Sequence, residues 1–231
     1  GIGITLGDRL RLLRAIESLS ATQPESVSVP ERAHVPEAER RQLTVLFCDL
    51  RGSTALSTHL YVEDYRKVLT TYQSTAGKTF KSHGGFVARY MGDGLLVYFG
   101  FPEAHEDDAR RAIVAALDVV GAVTRIRLPD GRPLACRIGI ATGTVVAGDL
   151  IGEDSSEQFA VLGVTPNLAS RLQDEAPDNG IVISSRTRQV AGGHFETRSL
   201  GEKALKGIPG KTEIIEVVRE LDVTRFRAQI K

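Results

Sequence analysis

From Gln42 onward, short β-branched apolar runs alternate with amphipathic stretches in the order β-α-β-β-α-β, and few folds accept that order. "LTVLFCDL" reads as a buried strand. "VEDYRKVLTTYQSTAGKTFKSH" sets Val62, Tyr65, Leu69, Tyr72, Ala76 and Phe80 at helical spacing. "GGFVARYMGDGLLVYFG" holds two apolar runs about Gly92-Asp93-Gly94, a hairpin signal. "HEDDARRAIVAALDVVGAVTRI" predicts a second long helix opening at His105 or Glu106. Its acids Glu106, Asp107 and Asp108 suit the positive helix start better than a metal cluster with His105. "LACRIGIATGTVVAGDL" predicts a strand pair turning near Gly143. "EQFAVLGVTPNLASRLQDEA" runs a strand into a helix, "GIVISS" is a strand, and "FETRSLGEKALKGIPGKTEIIEVV" ends in a β segment.

This order is the split βαβ arrangement, so the expected fold is α+β, a ferredoxin-like βαββαβ core with additional C-terminal strands. The core occupies 42–220, with a tail at 221–231. Before it, Leu6, Leu10, Leu13, Ile16 and Leu19 recur at helical spacing. Residues 1–19 are therefore expected to form an amphipathic helix, either a linker or the end of a SAM-like helical domain. Pro24, Pro30 and Pro36 mark 20–41 as linker. The chain starts at Gly1 and Met91 is its only methionine, so a longer parent protein is expected.

In the split βαβ arrangement the first strand neighbours the central hairpin. Asp49 ends that strand and Asp93 sits at the hairpin turn, so two acids distant in sequence meet at one end of the sheet. Like charges held close call for a cation. Oxygen ligands suit two divalent cations, Mg²⁺ or Mn²⁺, and Leu50 could add its backbone carbonyl. Gly52, Ser53 and Thr54 follow, just before the first long helix, where their N–H groups can face a polyphosphate. Acids for metal beside an anion cradle point to a nucleoside triphosphate.

Other classes fall away. Lys plus Arg equals Asp plus Glu at 29 each, which gives no bulk attraction to nucleic acid or anionic membrane. No apolar stretch approaches the ~18 residues of a membrane span. Cys48 and Cys136 lie inside apolar runs and read as reduced core residues, consistent with a cytoplasmic setting. "GKT" at 210–212 is not a Walker loop, because Leu205 stands where that motif needs glycine.

"FCDLRGST", "RYMGDGLLVYFG", "RIGIATGTVVAGDLIG" and "VTPNLASRL", in this order, resemble the catalytic domain of class III nucleotidyl cyclases over roughly residues 40–220. The resemblance implies a head-to-tail homodimer with active sites in the interface, and conversion of ATP to cyclic AMP and pyrophosphate. It assigns Asp49 and Asp93 to metal. It gives Asn167 and Arg171, supplied by the opposite protomer, the task of orienting the ribose and stabilising the transition state. Their i, i+4 spacing puts both on one helix face. Lys206 matches a ligand of the terminal phosphates, with Lys211 as the alternative. The chain departs from the family at the base. Arg89 stands where a Lys reads adenine, and Ala160 where an Asp or Thr does. Ala160 can neither donate nor accept, so loose ATP/GTP selectivity, or a degenerate domain that binds nucleotide and regulates as a dimer, is the alternative expectation.

Overall fold

The computed structural model describes residues 39–148 and 160–221. Its elements run β1 (Glu39–Leu50), α1 (Ser53–His59), α2 (Val62–Ser82), β2 (Phe86–Met91), β3 (Gly94–Phe99), α3 (Asp108–Val123), β4 (Cys136–Gly148) and β5 (Ala160–Leu162). There follow α4 (Val164–Glu175), β6 (Ile181–Ile183), α5 (Ser185–Ala191), β7 (Phe195–Ala204) and β8 (Lys211–Glu220). The strands form one sheet in the order β2-β3-β1-β4-β6-β8-β7, with β5 paired to β4. Antiparallel pairing of β2-β3, β3-β1 and β1-β4 is the expected split βαβ core, and β6, β8 and β7 extend it.

The two-residue period of β1 divides the core. Leu46, Cys48 and Leu50 face α2 and α3, packing with Tyr72, Phe80, Ile113 and Val119. Leu43 and Val45 face the other way, onto Ala169 and Leu172 of α4. Asp49 has the parity of the second set, so it emerges on the side of the sheet that carries α4. Arg137 in β4 shares that side with Ala141 and Val145.

Five expectations need correction. β4 is one continuous strand that passes through Gly143 without turning. The glycine spares space rather than making a turn: a Cβ at Gly143 would press on Thr165 Oγ1, and one at Gly139 would collide with backbone atoms of Ala169 and Gln173. α4 thus lies directly on β4. Strand β1 begins at Glu39, inside the stretch read as linker. Helix α3 begins at Asp108, not His105 or Glu106, because the Asp108 carboxylate accepts from the His105 amide at 2.8 Å and pairs with Arg111. In α2 the buried stripe takes Val68, while Val62 is 77% exposed. A separate short helix, α1, stands between Gly52 and the first long helix. The helix expected at 1–19, most of the linker and residues 222–231 of the tail lie outside the described residues.

Candidate active site

The site forms where β1 ends beside the β2–β3 hairpin. In register, Asp49 stands opposite Gly94 of β3 on one side and Arg137 of β4 on the other. The Leu50 amide donates to the Asp93 carbonyl at 3.3 Å, which fixes the hairpin tip against the strand end. From α2, Gln73 Nε2 donates to the Gly92 carbonyl at 2.6 Å and holds the tip from the other side. Gly92 makes this tip with φ 60°, a conformation few other residues adopt cheaply. The two acids expected to meet are therefore neighbours.

Their electrostatics follow from this. Burial pushes the Asp49 carboxyl above its usual range, the hydrogen bond from Arg137 pulls it back, and the charge of Asp93 pushes it up again. Tyr65, on the first turn of α2, is raised by burial and by the same Asp93 charge. Two carboxylates that repel each other in a half-buried setting are a donor set suited to a hard cation. Leu50, placed between them in sequence, has a buried side chain, so the ligand expected of it is main-chain carbonyl.

Sequence reading missed Arg137. Its Nη2 donates to Asp49 Oδ2 at 2.9 Å, while its Nε is buried with no partner among the described residues. The signal was a charged residue inside the apolar run "CRIGI", but only the strand register shows which residue it faces.

Gly52, Ser53 and Thr54 follow Asp49 at the same sheet end. Gly52 caps α1 with φ 73°, and the first amides of α1 have no intrahelical acceptor. Asn167 and Arg171 both lie on α4, Asn167 exposed and Arg171 half-buried. Arg171 Nε donates to the Lys206 carbonyl at 3.2 Å and its Nη1 to Asp174 at 3.1 Å. Lys206 occupies the turn between β7 and β8, with its side chain exposed. Lys211 opens β8 and is exposed as well. The structure thus groups Lys206 with Arg171, and Asp49 with Asp93 and Arg137. Arg89 is exposed on β2 opposite Leu96, and Ala160 opens β5 opposite Gly148. These two strands do not pair with one another.

A split βαβ sheet with a carboxylate pair at the β1 end and a helix across β4 fits a nucleotidyl cyclase catalytic domain. The chain belongs to the adenylate and guanylate cyclase catalytic domain family, whose model matches residues 35–218. Among solved structures it is similar to the guanylyl cyclase Cya2, with TM-score 0.74 and 32% identity over 80% of this chain and 96% of that one. It is equally similar to the adenylyl cyclase CyaB from P. aeruginosa, with TM-score 0.74 and 30% identity over 80% and 100%. An adenylate cyclase of Anabaena cylindrica is 29% identical over 207 residues, 86% of this chain and 40% of the relative. The chain spans less than half the length of the curated relatives it matches. No helix among the described residues is long and apolar enough to cross a membrane.

Proposed function

We propose that the domain converts ATP into 3',5'-cyclic AMP and pyrophosphate at a site shared by two copies of the chain. The observation that carries this reading is the strand register that sets Asp49 beside Asp93. Asp49, Asp93 and the Leu50 carbonyl would hold two divalent cations, Mg²⁺ or Mn²⁺, whose chemistry is Lewis acidity toward the ribose 3'-hydroxyl and the phosphates. The 3'-oxygen forms a bond to the α-phosphorus, the bond from that phosphorus to the β-phosphate oxygen breaks, and the hydroxyl proton leaves to solvent. Around that exchange the amides of Gly52, Ser53 and Thr54 receive phosphate oxygens, and Arg137 adds the positive charge of the guanidinium that meets Asp49. Asn167 orients the ribose. Arg171 pairs with charge building on the α-phosphate. Lys206 takes the terminal phosphates, beside the arginine that its own carbonyl holds. Arg171 is anchored toward the β7–β8 turn and not toward Asp49, which supports its service to a second copy.

ATP is the preferred substrate because the Glu and Cys expected for guanine recognition are absent, and Arg89 and Ala160 stand in their place. Incubation with ATP or GTP and Mn²⁺, with chromatography for cyclic product, tests the reading; cyclic AMP from ATP is expected. The apolar Ala160 favours a second reading, a regulatory dimer that binds nucleotide. Nucleotide binding with no cyclic product would select it.

A further inference from the structure

We infer that Gln73 is a positioning residue for the cation site: from α2 it locks the turn that presents Asp93. The inference rests on the cyclase reading, in which Asp93 is a cation ligand. Met91 pairs with Gly94, so Gly92 and Asp93 alone make the loop of the β2–β3 hairpin. Gly92 has φ 60° while Asp93 keeps a negative φ, the pattern of a type II′ turn. Such a turn becomes type I′ when the peptide unit joining its two central residues rotates over. Asp93 would then take a positive φ and aim its side chain elsewhere. Both types are common in two-residue hairpins, so the loop by itself does not choose between them.

The carbonyl of that peptide unit is the Gly92 oxygen, and Gln73 Nε2 donates to it at 2.6 Å. The next peptide unit is held separately, because the Leu50 amide donates to the Asp93 carbonyl at 3.3 Å. Both units that flank the Asp93 Cα are therefore tied, one to α2 and the other to β1, and the direction of the side chain follows. The base of the first tie is firm, since Val68, Tyr72 and Ala76 around Gln73 are buried in the core. Tyr65, in the first turn of α2, feels the Asp93 charge, so the helix runs alongside this acid. Of the two ties only the one from Gln73 is made by a side chain, so it is the one a substitution can remove.

Titration of the nucleotide-free chain with Mn²⁺, read by loss of the electron paramagnetic resonance signal of free Mn²⁺, tests this without turnover. Gln73→Leu loses the donor and is expected to weaken Mn²⁺ binding about tenfold. That is the low end for a group that orients a metal ligand, because Gly92 is exposed and water can partly replace the bond. In turnover, the Mn²⁺ needed for half-maximal rate is expected to rise by the same factor, with the KM for ATP at saturating Mn²⁺ changed by less than about twofold. Thermal melting checks folding; should the Leu variant fail to fold, Gln73→Met carries the same expectation. A parallel rise in both constants marks a loosened helix and overturns the inference. Unchanged Mn²⁺ binding by a folded variant, where Asp93→Asn weakens it, overturns the inference and leaves the cyclase reading standing. Should Asp93→Asn bind Mn²⁺ as the unaltered chain does, the inference and the assignment of Asp93 to metal fall together.

Discussion

Tyr72 is fully buried in the α2 side of the core, and its hydroxyl lies 3.2 Å from the Cys48 sulfur. Burial raises its phenol well above 10.0, with nearby Cys48 adding to the effect. A raised folded-state value means the folded chain keeps its proton longer than the unfolded one. The contribution to stability is full below the ordinary phenol value and is lost as pH climbs through and beyond 10.0. The melting temperature is expected to fall steeply above that pH, and Tyr72→Phe to flatten the fall, as calorimetry across the range would show. The places of Asp49 at a strand end and Asp93 at a hairpin turn were legible in the sequence, because an apolar run and a Gly-Asp-Gly turn mark them. Arg137 was not, since its meaning depends on a partner 88 positions away. At the base, Arg89→Lys combined with Ala160→Asp is expected to raise the ratio of ATP to GTP turnover. An unchanged ratio would remove both positions from base recognition.

At the scale of elements, β4 and α4 show what hydrophobic periodicity reveals and what it hides. The apolar run of β4 was plain, but Gly143 within it read as a turn. In the folded chain Gly139 admits the α4 backbone and Gly143 admits the Thr165 side chain, and α4 then carries Asn167 and Arg171 across the strand. A turn glycine and a contact glycine look alike in one sequence, because the difference lies in a distant segment. Gly139→Ala is expected to cost about 3 kcal/mol of unfolding free energy, read as a lower urea midpoint, because neither colliding group is a flexible side chain. The split βαβ order was legible because helices and strands differ in period. Short α1 and α5, each 7 residues, carry too few apolar repeats to declare themselves.

For the whole molecule, the two groups of site residues lie in different places on one chain, with Asp49 at the β1 end and Arg171 tied to the β7–β8 turn. A two-fold arrangement of copies would complete each site with the other's helix. Asp49→Ala and Arg171→Ala are each expected to lose turnover by ~100-fold or more. Mixed in equal amounts and allowed to exchange, they are expected to recover about a quarter of normal turnover, since half the dimers carry one intact site of two. No recovery under exchanging conditions would confine the site to a single chain. The bond from Arg171 to position 206 ends on main chain, so it is indifferent to which side chain projects there. A different side chain at position 206 would therefore leave the arginine aimed, so the proposed phosphate ligand and the arginine's anchor can drift independently.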